Sequence, residues 1–387
     1  MGAADHGLDL DLARERFEES VDFTVALEEE FALVEPGTLE LAHRFEEMIA
    51  LCQEDEVLAD SARGELIDAE IEIRSGRAES YAEAIELQTE RRRRLFALAE
   101  RMGLGLAAMG THPWAGYLDQ EIIDTPHYNR LRRELAWVAR RNQTWSLHAH
   151  VGVRGADRAI AVCDHLRSVL PILLAISANS PFLDGQDSGL ATMRTQIFTR
   201  TFPRCGVHDP FGDWQTYADF VRLLERTHSI AESTQLWWSV RPHHAFGTVE
   251  VRICDAQSRG SESFRLGALL MACVAQAAID YDDGVLPVPM RAREIEENLW
   301  RAIRFGLGGR MIDFSAGREI EASAAVEQLL EWTAPARAAL DLDAEPEGPN
   351  GAQRAQAEIA AGRSIADIYR DSIAETARTY APEPVRG

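Results

Sequence analysis

Not one lysine occurs among the 387 residues, so arginine supplies all 40 fixed positive charges, against 63 acids and a formal net charge of -23. Such an excess repels nucleic acid and anionic membrane surfaces, and neither is expected as a partner. Small anions can bind only where metal ions or local arginines offset the field. Cysteine is scarce: Cys52, Cys163, Cys205, Cys254 and Cys273 are odd in number, far apart, and form no CxxC pair. That excludes a disulfide framework or a zinc knuckle and points to a reduced, cytoplasmic compartment. Long apolar runs are missing too. Leu266 to Ile279 and Val169 to Ala178 fall short of the roughly 20 residues of a membrane-spanning helix and read as buried helices. Met1 to Ser20 is polar and acidic, without the apolar segment of a signal peptide. With 46% hydrophobic and 27% charged residues, the chain can bury a sizeable core in one large domain or two.

What is present is acid in unexpected places. Val25-Ala26-Leu27-Glu28-Glu29-Glu30-Phe31-Ala32-Leu33 sets three acids in an otherwise apolar, strand-like run. Side chains alternate along a strand, so Glu28 and Glu30 share a face while Leu27, Phe31 and Leu33 take the other. Glu29 falls on the apolar side and requires an arginine partner, a bulge or an edge position. Three further segments repeat the design. Ile67 to Arg74 alternates Ile67, Ala69, Ile71 and Ile73 with Asp68, Glu70, Glu72 and Arg74. Ser146 to Val153 puts His148 and His150 on one face, and Thr248 to Ile253 does the same with Glu250 and Arg252. The expected fold class is therefore α+β: an antiparallel sheet with one polar, metal-binding face of carboxylates, imidazoles and arginine, and helices packed on the other. Like charges on one pleat call for a cation between them.

Along the chain, helical spacing is expected over Leu39 to Leu51, from Ser75-Gly76 to about Arg101, over Pro126 to Asn142, over Ala156 to Ser177 with a break at Pro171, and over Trp214 to Ser229. Arg91 to Arg94 read as a solvated, glutamate-paired helix face. Leu104 to Gly110 reads as a buried strand entering Thr111-His112-Pro113-Trp114, a binding loop or a plain turn. The polar loop Ala178 to Gly189, followed by Arg194, Arg200 and Arg204, is a reasonable place to hold a carboxylate or phosphate. Gln235 to Arg241 reads as a strand. Beyond Ser261 the chain reads as almost wholly helical, with a surface loop at Asp341 to Gly351 and a frayed tail from Ala381. By alternation Cys254 shares the parity of Glu250.

Five stretches in register, Leu27-Glu28-Glu29-Glu30-Phe31, Met109-Gly110-Thr111-His112-Pro113, His148-Ala149-His150-Val151-Gly152-Val153, Asn179-Ser180-Pro181-Phe182 and Arg241-Pro242-His243-His244 through Gly247-Thr248-Val249-Glu250-Val251-Arg252, resemble the bacterial carboxylate-amine ligases of the YbdK-like, glutamate-cysteine ligase type 2 family. The resemblance covers residues 21 to 260 and leaves a mainly helical remainder, 261 to 387, within a single glutamine synthetase-like catalytic domain, 1 to 387. It implies ATP-dependent amide formation through an acyl phosphate, by default between the γ-carboxyl of glutamate and the amine of cysteine. Carried over residue by residue, it implies magnesium ligation by Glu28, Glu30, Glu65, Glu72, His148 and Glu250, with two or three ions and ATP as co-substrate. Glu250 and Arg252 are the expected catalytic pair, and Arg252, Arg194, Arg241, His112 and His150 the expected contacts to nucleotide or substrate. Glu70 is either a further ligand or the partner of an arginine, and His243 and His244 are loop residues. Ala149, Ser146-Leu147 and Leu183 depart from the family's usual wording, which bears on acceptor specificity.

Three alternatives stand beside this reading. The same chemistry could act on another carboxylate or amine. A metal-dependent hydrolase could use His148, His150 and the carboxylates around zinc or manganese. A non-catalytic relative could bind nucleotide as a regulatory subunit, against which the intact ligand set argues. The expected partners are small molecules, and association with further copies of the chain is open.

Overall fold

Antiparallel pairing of the four alternating segments builds the centre of the molecule. The computed structural model describes residues 8–381, and the tail expected to fray lies almost wholly outside them. The strands are β1 (Val25–Val34), β2 (Ala62–Arg63), β3 (Glu70–Arg74), β4 (Gly105–Ala107), β5 (Ser146–Gly152), β6 (Phe182–Leu183), β7 (Gln186–Asp187), β8 (Val240–His243), β9 (Thr248–Asp255), β10 (Arg310–Asp313) and β11 (Arg318–Glu321). The main sheet runs β2-β3-β1-β5-β9-β8, with β4 also on β1, while β6-β7 and β10-β11 are separate hairpins.

Register matters more than strand count. Glu28 stands opposite Arg74 on β3 and His148 on β5, and Glu30 stands opposite Glu72. His150 stands opposite Glu250, which in turn faces Arg241. Residues directly opposite one another across a ladder share a face, so five strands deliver their polar side chains to one surface. The other face is apolar. Leu27, Leu147, Ala149, Val151, Val249 and Val251 pack there with Leu266, Leu270 and Val274 of the helix Gly260–Asp282. That helix is long and apolar enough to cross a bilayer by composition, longer than the apolar run suggests, but 78% of its most apolar stretch is buried inside the protein. A second cluster joins Phe31, Leu33, Ile71 and Ile73 to Phe96, Tyr369 and Tyr380.

Tertiary contacts overrule several local expectations. Glu29 does fall on the apolar face, and its arginine partner is Arg92, from the run read as a solvated helix face. Arg92 is buried, its Nε donates to Glu29 Oε2 at 2.7 Å, and Gln88 Nε2 and the Ser263 hydroxyl also bond the carboxylate. Arg93 and Arg94 keep the expected pairing, with Glu90. The second acidic strand starts only at Glu70. Asp68 lies before it and turns away, accepting the Phe45 N–H at 3.1 Å at the start of the helix Phe45–Glu54. On β9 one extra residue bulges opposite His148, since Leu147 pairs with Cys254 and Ala149 with Val251. Parity inverts past the bulge, so Ile253 and Cys254 both enter the apolar core and the thiol is not at the polar face.

The loop from Ala178 is not free to hold an anion at its start. The Asn179 N–H and the Ser180 and Thr192 hydroxyls all donate to the buried Asp255, at 2.9, 2.7 and 3.1 Å. Gly110 lies under the same carboxylate, where a Cβ would come within 2.7 Å of Asp255 Cγ. Pro171 marks the expected break, with Ala156–Leu166 and Leu170–Ser177 meeting at 62°. The C-terminal part is mainly helical, as expected, apart from the β10–β11 hairpin, whose turn is closed by Asp313 accepting the Ser315 and Ala316 N–H groups.

Candidate active site

The polar face of the sheet floors a cleft of about 590 Å³. β1 contributes Glu28 and Glu30, β3 Glu70, Glu72 and Arg74, β5 His148 and His150, and β9 Glu250 and Arg252. Glu65 lies on the turn before β3, and Arg194 on the helix Met193–Thr201 closes one side. Tyr128, Leu131, Leu135, Phe198, Phe202 and Trp237 form an apolar wall at one end.

Two groups of donors converge within this cleft. Among the described residues, Glu28, His148 and Glu250 offer ligand atoms within 4.8 Å of one another, and so do Glu30, Glu72 and His148. His148 sits between the groups, with Nδ1 3.2 Å from Glu28 and Nε2 2.7 Å from the Ser146 hydroxyl. Glu30 accepts the Ser146 N–H and hydroxyl at 2.5 and 2.6 Å, which fixes its direction.

Charge divides the acids into two classes. Burial would raise Glu28, but His150, Arg74 and His148 outweigh it and hold the carboxyl well below the usual range. Glu250 is likewise held low, because Arg241, Arg252 and His150 overcome its burial. The remaining acids lack such company. Burial, followed by Glu30, Glu65 and Glu72, drives Glu70 well above the usual range, and neither of its oxygens has a hydrogen-bond partner. Glu72 is raised by burial and by Glu28, Glu65 and Glu30, despite Arg74. Desolvation and Glu30 push Glu65 to about 7. Buried like charges without a counterion are expensive, and hard cations on carboxylate oxygens are the usual remedy. The donor set therefore fits Mg2+, with Glu70, which the sequence left open between a further ligand and an arginine's partner, as its least satisfied member. The signal was its place in the alternation of Glu70 and Glu72.

This imbalance has a direct consequence. Glu70→Gln is expected to raise the stability of the metal-free protein by about 1–3 kcal/mol, since it removes a buried carboxyl that must either take up a proton on folding or carry an uncompensated charge, and to shrink the stabilisation that Mg2+ gives. Thermal melts in EDTA and in Mg2+ check both; a less stable variant in EDTA counts against the reading of Glu70.

The other expected contacts separate. Arg252 donates to Glu250 and keeps an unpartnered, buried Nε–H, as does Arg194, whose terminal nitrogens bond the Ile253 and Arg252 carbonyls at 3.0 and 3.1 Å. Both Nε–H groups are thus buried beside the cleft without an acceptor among the described residues. Arg241 borders the cleft, but its donors are spent on Glu250 and the Thr234 and Leu236 carbonyls, so it positions Glu250 and is not a free substrate contact. His150 is held by the Thr248 hydroxyl at 3.1 Å and approaches Glu28 at 3.3 Å. His112 is a correction. Its Nε2 lies 2.8 Å from the Leu39 carbonyl, its Nδ1 accepts from the Trp114 and Ala115 N–H groups, and its ring packs on Trp114 and Tyr369, which makes it the core of a turn. Burial lowers it to about 4. His243 is more than a loop residue, since it lines the cleft with Phe246 stacked on it at 4.5 Å.

Residues 24–381 match the model of glutamate-cysteine ligase family 2 (GCS2). A Rubrobacter xylanophilus protein, whose name, glutamate-cysteine ligase 2-2, is given provisionally, is 35% identical over 374 residues, 96% of this chain and 96% of its own. A Sorangium cellulosum protein provisionally named glutamate-cysteine ligase 2 is 37% identical over 310 residues, 80% of this chain and 82% of its own. The fold is similar to that of Francisella tularensis glutamate-cysteine ligase in complex with AMP, with a TM-score of 0.66 at 11% identity over 94% of this chain and 89% of the other. It is also similar to that of the bifunctional glutathione synthetase of Pasteurella multocida, with a TM-score of 0.67 at 10% identity over 96% of this chain and 54% of the other.

Proposed function

Because the chain belongs to glutamate-cysteine ligase family 2, it is an ATP-dependent, amide-forming ligase, and we propose that it joins the γ-carboxyl of L-glutamate to the amine of L-cysteine. In the proposed reaction a carboxylate oxygen of the donor attacks the γ-phosphorus of ATP and ADP departs. The amine then attacks the acyl carbon, inorganic phosphate leaves, and the nitrogen loses a proton. No protein nucleophile takes part.

Glu28, Glu250 and His148 on one side, and Glu30, Glu72 and His148 on the other, would hold Mg2+, with Glu65 and Glu70 beside them. Bound magnesium supplies neutralisation of the phosphate oxygens during transfer. The chain's own residues do the rest. Arg252 and Arg194 aim fixed positive charge at anionic oxygens without reorganisation. Arg241 locks Glu250, Ser146 locks Glu30, and Thr248 orients His150. The observation that carries the reading is the buried, unpartnered carboxyl of Glu70 among Glu30, Glu65 and Glu72, an arrangement that a bound cation would relieve. The two apolar clusters each draw residues from both sides of position 260, which supports treating the chain as one catalytic unit. A cytoplasmic setting without nucleic-acid or membrane partners accords with the charge and cysteine pattern.

One observation favours a second reading. The wall of Tyr128, Leu131, Leu135, Phe198, Phe202 and Trp237 suits an amine with an apolar substituent larger than that of cysteine. Phosphate release from Mg-ATP, screened over amino-acid donors with and without cysteine and other amines, separates the two. Release that needs both glutamate and cysteine, with a product of the dipeptide's mass, supports the first; release with a bulkier amine alone supports the second. No release from a folded sample with any pair overturns both.

A further inference from the structure

A protein of net charge -23 slows the approach of its own anionic substrates unless the field is reversed where they enter. One segment of the cleft wall carries a local excess of positive charge. Thr125 to Asn142 carries five arginines, Arg130, Arg132, Arg133, Arg140 and Arg141, and one glutamate. Tyr128, Leu131, Leu135 and Asn142 from the same stretch form part of the cleft wall, so each of the five, without lining the cleft itself, is within two residues along the chain of one that does. Arg63 lines the cleft directly, and Arg200 stands two residues from both Phe198 and Phe202 of the wall.

None of these arginines is ion-paired to a described residue, although Arg63 donates to the Ala59, Ala62 and Asp60 carbonyls, Arg140 to the Leu118 carbonyl, and Arg141 lies over the Tyr117 and Trp137 rings. Among the described residues none of the seven lies within 4.0 Å of a carboxylate, whereas in the helix Tyr81–Arg101 the neighbours Arg92, Arg93 and Arg94 are all ion-paired. The side chains of Arg132, Arg133 and Arg200 make no hydrogen bond to the described residues, and all three residues are exposed, so packing does not account for them. What fixes their position is the small apolar cluster of Leu131, Leu135, Ala139 and Phe202, which clamps both segments at the mouth.

The geometry points to an arginine collar that steers small oxyanion substrates, carboxylate or phosphate, into the cleft. The collar touches no reacting atom; it raises the rate of encounter. Its range is the screening length, about 10 Å at 0.1 M salt, so its effect disappears at high ionic strength. The inference rests on the ATP dependence of the ligase and not on the choice of glutamate and cysteine.

The test compares the full chain with Arg132→Gln/Arg133→Gln/Arg200→Gln and with the same triple changed to lysine. One arm follows association of a fluorescent Mg-ATP analogue by rapid mixing, with no second substrate. The other measures kcat/KM for glutamate. At low ionic strength the glutamine triple is expected to lose about tenfold in one of the two rates, with kcat unchanged and the gap closing in high salt, while the lysine triple keeps the original rate. The arm that responds identifies the steered anion. Rates unaltered in both arms at low salt, or lowered equally at low and high salt, overturn the collar. If glutamate is not turned over, the substrate pair is wrong, and the nucleotide arm alone decides the collar.

Discussion

Glu28→Gln is expected to lower kcat/KM for ATP-dependent amide formation by about 10³-fold, the scale seen when one preorganised electrostatic contact to a reacting oxyanion is lost. Glu28 is the sharpest choice among the acids. It stands opposite both Arg74 and His148, belongs to one of the two donor groups, and is held ionised by its neighbours. Glutamine preserves its volume, and Arg74 keeps Glu72 as a partner, so no cavity or bare charge is created. Melting within a few degrees of the parent protein would show that the fold is retained. Activity within tenfold of the parent at saturating Mg2+ would remove Glu28 from the site. Glu250 is a poorer probe, because it neutralises Arg241 and Arg252 together and its loss would disturb stability as well as chemistry.

Arg92→Met is expected to destabilise the protein by about 3–5 kcal/mol, the usual result of stripping one partner from a buried ion pair. Arg92 and Glu29 are both nearly inaccessible to water, and the guanidinium also lies 3.6 Å from the Phe264 ring centre and 4.2 Å from that of Tyr380. Removing the arginine leaves Glu29 charged in the apolar layer, with only Gln88 and Ser263 to solvate it. The double variant Arg92→Met/Glu29→Leu should recover most of the loss, since neither charge then remains. Urea unfolding of the two variants measures both quantities. A single variant that loses less than about 1 kcal/mol, or a double variant no better than the single, would show that the pair is not what holds the helix Tyr81–Arg101 to the sheet.

The unlikeness of two neighbouring acids shows where sequence reading stops. Glu28 and Glu29 are adjacent and chemically identical, yet one faces the cleft and the other the core. Alternation alone told them apart, because a strand's period of two is set by local backbone sterics. It could also say that Glu29 needed an arginine. Which arginine was beyond it, since Arg92 lies 63 residues away and the run around it has the look of a solvent face. His112 failed for a related reason: a histidine in a glycine- and proline-flanked loop resembles a ligand until the Leu39 carbonyl, from a segment 73 residues distant, is seen to occupy its ring nitrogen.

The sequence by itself determined the alternating strands, the polar and apolar faces, the break at Pro171, the family, and the membership of Glu28, Glu30, Glu72, His148, Glu250 and Arg252 in one polar surface. Each of these depends on neighbours in the chain or on motifs a few residues long. Only the tertiary structure decided that β9 bulges and sends Cys254 into the core, that Arg241 is spent on Glu250, that Glu70 has no partner, and that an arginine-rich stretch supplies part of the cleft wall. Those outcomes turn on desolvation and on which distant groups meet, and the energy of a buried charge is set by its surroundings in space, not by its neighbours in sequence.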